Sequence, residues 1–339
     1  MSTDEIAQQV KERLDELYRR VSAVGDESVE HYYQSGRGYY GSEFAGRERD
    51  QLGISLAALD GDLYHAGDSE RAFPLHSISK VFAYALALED CGRDAVLRRV
   101  GVEPSGDAFN SITFDEHNRR PFNPMVNAGA LATSALLRGN GPEEKSARML
   151  DLVRRLAGTD QPTVDDQVFA QEIETADRNR ATGYLMRSDG MLSGDVEELL
   201  AVYLGQCAIR VTTADLAVIA ATLANGGENP RTGERVLSRR VNRDVLSVMY
   251  TCGMYDFAGE WAFQVGVPAK SGVSGGIIAV IPGKMGVGVL SPGLDRFGNS
   301  VRGVRVCQEL SERLGLHVFA SEAEDMMLGE RPARTRPPA

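Results

Sequence analysis

The sequence predicts an α+β fold in which an antiparallel sheet is built from the two ends of the chain, flanked by helices, with a helical block inserted between the sheet-forming parts. Three observations predict it. Two pairs of short apolar runs, each split by a turn, lie at 53–66 and 276–290; the stretch from about 124 to about 224 has mostly helical periodicity; and further helical patterns stand near the two ends of the chain.

In chain order, Ile6, Val10, Leu14, Leu17 and Val21 recur at helical spacing, with Asp4 and Glu5 near the start, where the helix dipole favours negative charge. An amphipathic opening helix follows. Apolar runs at 53–59 and 63–66 flank Asp60-Gly61-Asp62 and read as a β-hairpin. Residues 81–88 are apolar nearly all round and stop at Cys91-Gly92, with glycine where a C-cap belongs, so this helix is expected to be buried. The block at about 124–224 follows, its helical patterns separated by Gly- and Asp-rich turns. Then 276–281, the turn Pro282-Gly283 and 285–290 form a second hairpin, and 301–314 a closing helix. Residues 321–339 show no periodicity and are expected to be a mobile tail. The expected organisation is an N-terminal helix region over 1–30, a catalytic domain over 31–320 and the tail, with no internal repeat.

Composition narrows the function. At 339 residues, 42% hydrophobic and 25% charged, the chain suits a globular protein with a large core. A formal net charge of -11, with no cluster of Lys and Arg to offset it, would repel a phosphate backbone, so nucleic-acid binding is not expected. Cys91, Cys207, Cys252 and Cys307 are widely spaced and read as reduced core residues; the five histidines are scattered too. Neither a metal nor a cofactor is expected. The N-terminus has no signal pattern, and no run approaches the roughly 20 apolar residues needed to span a bilayer. A cytoplasmic protein with no membrane association is the default expectation.

The chemistry enters at Ser77-Ile78-Ser79-Lys80, at the start of the buried helix and shortly after Pro74. Residues three apart on a helix share a face, so the serine hydroxyl and the lysine amine lie one turn apart. Serine is a poor nucleophile until a base removes its proton, and a buried lysine can do so if its neutral form is populated. S-x-x-K alone is a weak motif, but of the 37 basic residues only five are lysines and 32 are arginines. A chain that uses arginine nearly everywhere, yet keeps lysine in an apolar helix, keeps the one cation that can shed its proton. A second lysine begins Lys270-Ser271-Gly272-Val273-Ser274-Gly275-Gly276, just before the strand at 276–281. Backbone amides beside such an edge can supply half of an oxyanion hole. A Gly-rich turn into a strand is the plainer explanation of that segment.

Beyond these two motifs, Glu103-Pro104-Ser105-Gly106-Asp107, Asn123-Pro124-Met125-Val126-Asn127-Ala128-Gly129-Ala130, Asp177-Arg178-Asn179-Arg180, Ala220-Ala221-Thr222-Leu223-Ala224-Asn225-Gly226-Gly227 and Pro268-Ala269-Lys270-Ser271-Gly272-Val273 stand in one register. Together they resemble the serine-dependent glutaminase family, from about residue 40 to about residue 316. The resemblance implies a β-lactamase/transpeptidase-like fold and hydrolysis of L-glutamine to L-glutamate and ammonia, without cofactor, by a homo-oligomer such as a dimer or tetramer. It implies Ser77 as nucleophile, Lys80 as its base and Tyr255, in Gly253-Met254-Tyr255-Asp256, as the group that passes the proton to the leaving ammonia. The amides of Val273 and Ser77 would form the oxyanion hole. Asn127, Glu172, Asn179 and Tyr203 match positions that hold the amino-acid end of the substrate, and Tyr40 joins them on a weaker match.

Those residue types suit a zwitterion, since a carboxylate such as Glu172 can receive the ammonium while Asn179, Tyr203 and Asn127 donate to the carboxylate. Singly, each also has a plainer explanation: Glu172 as one face of an acidic helix, Asn127 as a helix cap, Tyr203 as a core aromatic. One departure stands beside the nucleophile. Where the family often has glutamine, this chain has His76, whose imidazole can donate or accept but titrates near neutral pH. A penicillin-recognising peptidase or β-lactamase would share both lysine motifs, but its S-x-N or Y-x-N element has no counterpart in a matching position.

Overall fold

The computed structural model describes residues 3–24, 50–106, 111–115 and 117–320. Tyr40 and the expected tail at 321–339 lie outside them. Helix α1 (Thr3–Ser22) buries Val10, Leu14, Leu17 and Val21 along the stripe that their spacing predicts. Strands β1 (Gly53–Ala58) and β2 (Leu63–Gly67) pair antiparallel around the turn at Gly61, where φ is +97°. The short strand β3 (Phe73–Pro74) and a 3-10 turn (His76–Ile78) then lead into α2 (Ser79–Cys91), the helix expected to be buried. Ten of its residues from Ser79 to Leu88 are shielded from solvent, and it ends at Gly92 with φ +77°, as its glycine predicts.

After α3 (Arg93–Leu97), the helical block contains α4 (Asn127–Leu136), α5 (Pro142–Ala157), α6 (Asp166–Glu174), α7 (Asp177–Ser188) and α8 (Val196–Cys207). Helices α6 and α8 start under aspartate caps: the Asp165 carboxylate accepts from Gln167 N and Val168 N, both at 3.0 Å, and Asp195 accepts from Glu197 N and Glu198 N. The block is less uniform than its periodicity suggests. Between its helices lie β4 (Thr163–Val164) and β5 (Ile209–Val211), which join β3 in a three-stranded sheet of order β3-β5-β4. Strands of two or three residues are too short to display a period of two, so none was expected there.

A second difference concerns α9 (Thr213–Ala224). Its sequence reads as the end of the helical block, but it packs directly on the main sheet, chiefly on the last strand. The chain continues through α10 (Arg239–Cys252), a 3-10 turn (Tyr255–Phe257), α11 (Ala258–Gln264), β6 (Ala269–Ser271), β7 (Gly276–Ile281), β8 (Met285–Leu290) and α12 (Val301–Leu314). The main sheet is antiparallel throughout, of order β2-β1-β8-β7-β6, so strands from both ends of the chain meet where β1 pairs with β8. Two glycines of β8 explain the close approach of α9. A Cβ on Gly286 would fall 2.2 Å from Ala217 O, and one on Gly288 2.3 Å from Thr213 O.

The sheet is covered on both faces, which is why its strands read as continuous apolar runs rather than alternating ones. Ile277, Ala279 and Ile281 of β7 pack into one core with α1, α12 and Trp261 of α11. Ile278 and Val280 point the other way, into the core shared with α2, α9 and the helical block. Each fully buried Leu or Ile in these cores contributes roughly 1.5–3 kcal/mol relative to exposure. The four cysteines are free thiols, three buried and Cys91 partly so. Among the described residues no helix is long and apolar enough to cross a membrane.

Candidate active site

The site lies at the seam between the main sheet and the helical block. Leu75 N donates to Ile209 O at 2.8 Å, continuing the β3–β5 pairing up to the 3-10 turn that carries Ser77. That turn is closed by Ile78 N donating to Leu75 O at 3.0 Å and by the Ser79 hydroxyl donating to His76 O at 2.7 Å. Lys80 follows in the first turn of α2, and its Nζ stands 2.7 Å from Ser77 Oγ. Both side chains are buried, Lys80 almost completely. Burial pushes the Lys80 ammonium down to about 8, against the opposing fields of Cys207 and Glu172, so a minor neutral fraction is accessible near neutral pH and grows as pH rises towards that value. The Tyr203 ring lies below the amine, 5.4 Å from Nζ to the centroid.

Tyr255 comes from the 3-10 turn after α10 and holds a backbone φ of +57°, in the left-handed region that favours glycine. Its hydroxyl hydrogen-bonds Ser77 and donates to Ser271 O at 3.1 Å. Burial pushes the phenol up to about 12, opposed by the hydrogen bonds to Ser77 and Ser271, so it stays a proton donor. Beneath it, Lys270 of β6 has its Nζ 3.9 Å from the centre of the Tyr255 ring and donates to Ser271 O at 2.7 Å. Burial, and then the charge of Lys80, hold the Lys270 amine well below the ordinary lysine range. Ser271 Oγ donates in turn to Asn299 Oδ1 at 2.6 Å. Lys270 and Ser271 were legible as a motif; Asn299, which helps hold the strand end that Tyr255 leans on, carries no sequence signal of its own.

Val273 sits in the turn between β6 and β7, fixed by Gly275 N donating to Gly272 O and Gly272 N donating to Gly276 O, both at 2.9 Å. The turn abuts the segment that carries Ser77 so closely that a Cβ on Gly272 would meet Leu75 O at 2.8 Å. On the helical side, Asn127 Nδ2 donates to Asn179 Oδ1 at 3.0 Å, and the Tyr203 hydroxyl donates to Asn127 Oδ1 at 3.4 Å. All three are buried. Asn127 opens α4 without capping it, so its amide is directed to Asn179 instead. Glu172 is the one buried residue of α6, not part of an exposed acidic face, and its Oε1 lies 2.9 Å from His76 Nδ1.

Of the residues singled out from sequence, Ser77, Lys80, Tyr255, Asn127, Asn179, Tyr203, Glu172 and the Val273 turn therefore converge on one seam, while Tyr40 lies outside the described residues. Among those residues no group of His, Cys, Asp and Glu is placed to hold a metal. A hydroxyl beside an amine poised to be neutral, with a phenol on its other side, can form an acyl intermediate with an amide and protonate the nitrogen that leaves.

The fold matches solved structures over nearly its whole length. The crystal structure of Mglu in its glutamate form superposes with a TM-score of 0.84 at 42% identity, covering 92% of this chain and 70% of that one. A probable glutaminase, ybaS, superposes with a TM-score of 0.84 at 39% identity, covering 94% and 99%. These neighbours define the class: an amide hydrolase of the β-lactamase/transpeptidase-like fold. The glutaminase of Trichormus variabilis is 57% identical over 280 residues, 83% of this chain and 84% of that one, and glutaminase 2 of Clostridium perfringens is 45% identical over 282 residues, 83% and 92%. The family model for glutaminase matches residues 39–319, and the chain belongs to the glutaminase family.

Proposed function

We propose that this enzyme hydrolyses L-glutamine to L-glutamate and ammonia through an acyl-enzyme on Ser77. The observation that carries the reading is the 2.7 Å contact between Ser77 Oγ and a fully buried Lys80 whose ammonium is pushed down to about 8. That separation serves in either direction, with the charged amine donating or the neutral amine accepting. Neutral Lys80 takes the Ser77 proton as Oγ bonds to the side-chain carbonyl carbon. The oxyanion so formed accepts hydrogen bonds from the Ser77 and Val273 amides. Tyr255 gives its proton to the amide nitrogen as the C–N bond breaks and ammonia leaves, and it is reprotonated from Lys80. Water then adds to the ester carbonyl, its proton passes to Lys80 and from there to the departing Ser77 Oγ, and glutamate is released.

At the other end of the substrate, Glu172 receives the ammonium, and Asn127, Asn179 and Tyr203 hold the carboxylate. A relative solved in its glutamate form is consistent with a pocket that binds an α-amino acid. A site gripping the α-carbon at one end and the carbonyl at the other measures the chain between them. Glutamine is therefore preferred over asparagine by more than the roughly 1–3 kcal/mol that one methylene supplies, because the shorter carbonyl also misses the oxyanion hole. The decisive experiment is Ser77→Ala, which is expected to abolish ammonia release while circular dichroism and L-glutamate binding are retained. Full turnover by that variant would remove the serine mechanism.

A further inference from the structure

The contact between His76 and Glu172 joins the residue before the nucleophile to the carboxylate assigned to the substrate's ammonium. Both side chains are buried, with side-chain exposures of 6% and 5%, and Nδ1 stands 2.9 Å from Oε1. His76 has φ +43°, a conformation unfavourable for any residue with a side chain, and the turn that imposes it is fastened at its carbonyl by the Ser79 hydroxyl. We infer that His76 is a positioning residue for the substrate: its imidazole holds the Glu172 carboxylate, and the charge on that imidazole decides how strongly the carboxylate receives an ammonium. The inference rests on the reading of Glu172 as the ammonium partner.

With the imidazole neutral, Nδ1–H donates to Oε1, and the carboxylate keeps its full charge for the substrate. With an imidazolium in place, that charge is already balanced at 2.9 Å, and an arriving ammonium would set two cations against one carboxylate. α2 presents Lys80, β6 presents Lys270, α8 presents Tyr203 and Cys207, the turn after α10 presents Tyr255, and β7, Gly276–Ile281, contains no ionisable side chain. Glu172 of α6 is the carboxylate that the imidazole contacts. Imidazole is the side chain that changes charge in the neutral range, so recognition of the substrate is expected to weaken on acidification.

The test is KM for L-glutamine as a function of pH in wild type, His76→Gln and His76→Ala. Between about pH 8 and about pH 5.5, wild-type KM is expected to rise about 3–10-fold beyond any change in kcat. His76→Gln, whose amide can donate but cannot charge, is expected to lose that rise. His76→Ala is expected to have KM raised about tenfold across the range, a defect that glutamine rescues. Superimposable KM profiles for wild type and His76→Gln, or a wild-type KM in His76→Ala, overturn the inference. A second measurement needs no variant. In wild-type calorimetry, affinity for L-glutamate should fall on acidification while affinity for glutarate, which lacks the ammonium, should not; equal dependence overturns it. Absence of ammonia release from glutamine by wild type would instead count against the proposed reaction and leave the calorimetric comparison readable.

Discussion

At the C-terminal end of α2 the Asp90 carboxylate is buried against Arg148, whose two terminal nitrogens stand 2.7 Å from its two oxygens, and it also accepts from Arg138 N at 2.9 Å. At the N-terminal end of the same helix the Lys80 amine is buried against a serine hydroxyl, and Glu172 reaches it through its field. Burial would raise the Asp90 carboxyl, but Arg148 and Arg138 outweigh it and hold the group below the ordinary carboxylate range. Burial of Lys80 is not outweighed, and its ammonium falls to about 8. One end of the helix compensates its charge and gains stability; the other leaves it undercompensated, as the proposed base requires. Removing each charge should therefore move stability in opposite directions, and only one removal should reach the chemistry.

The largest effect expected is on turnover. Lys80→Arg preserves a positive charge but cannot become neutral, so it should lose about 10²–10⁴-fold in kcat, as Lys80→Ala should. L-Glutamate binding measured by calorimetry shows whether the pocket has survived. Clear activity in Lys80→Arg with normal glutamate binding would transfer the role of base to Tyr255. Next in size is the pH profile. In His76→Gln, which has no imidazole, kcat/KM should rise about tenfold per pH unit and level off near about 8, where Lys80 is expected to lose its proton. A plateau already reached well below that value would mean that Lys80 does not have to be neutral.

Stability changes are smaller. Asp90→Asn strips Arg148 of its partner, and because about a third of the Arg148 side chain is exposed, water recovers part of the loss. A cost of about 1–3 kcal/mol is expected, seen as a fall of several degrees in Tm, with activity per folded molecule preserved. The stability contributed by Asp90 is present above the ordinary carboxylate range and is lost as pH falls through its lowered value. Smallest, and of opposite sign, is Lys80→Met. Burying the ammonium costs the wild type about 3 kcal/mol on the shift from 10.5 to about 8, part of which methionine should return as about 1–2 kcal/mol near neutral pH. The folded state binds the proton less tightly than the unfolded one, so the penalty is complete below about 8 and fades as pH rises towards 10.5. Thermal melts of the two proteins at pH values on either side of that window measure it. A Lys80→Met protein less stable than wild type at neutral pH would mean that Lys80 is compensated after all.

Much of this helix was readable in advance, because an apolar surface all round, a glycine stop and a lone lysine are local signals. Both hairpins were legible for the same reason, their apolar runs bracketing Asp60-Gly61-Asp62 and Pro282-Gly283. The three-stranded sheet was not, since its strands are too short for a pattern and exist only through partners far along the chain. The placement of α9 on the main sheet was hidden too: a helix apolar on all sides does not disclose which neighbour it lies against. At the site, Ser77 and Lys80 are one turn apart and announce each other. Tyr255 and the residues proposed to hold the substrate emerged from the family resemblance rather than from spacing. The pairing of His76 with Glu172 joins two segments that no periodicity connects, and only the fold brings them together.

The absent side chains of Gly286 and Gly288 act at a distance from the chemistry. Ser77 and Lys80 ride on the helical half of the molecule, while Lys270, Ser271 and Val273 ride on the sheet half, and α9 lies pressed between the two where β8 has no Cβ to hold it off. The thickness of that contact works as a gauge block between the halves. A methyl group at Gly288 would sit 2.3 Å from Thr213 O, the first carbonyl of α9, so it would have to lift α9 off β8 and widen the seam rather than merely crowd it. The tolerance to which Ser77 meets the Val273 turn, the proposed oxyanion hole, is thus machined into the middle of a strand.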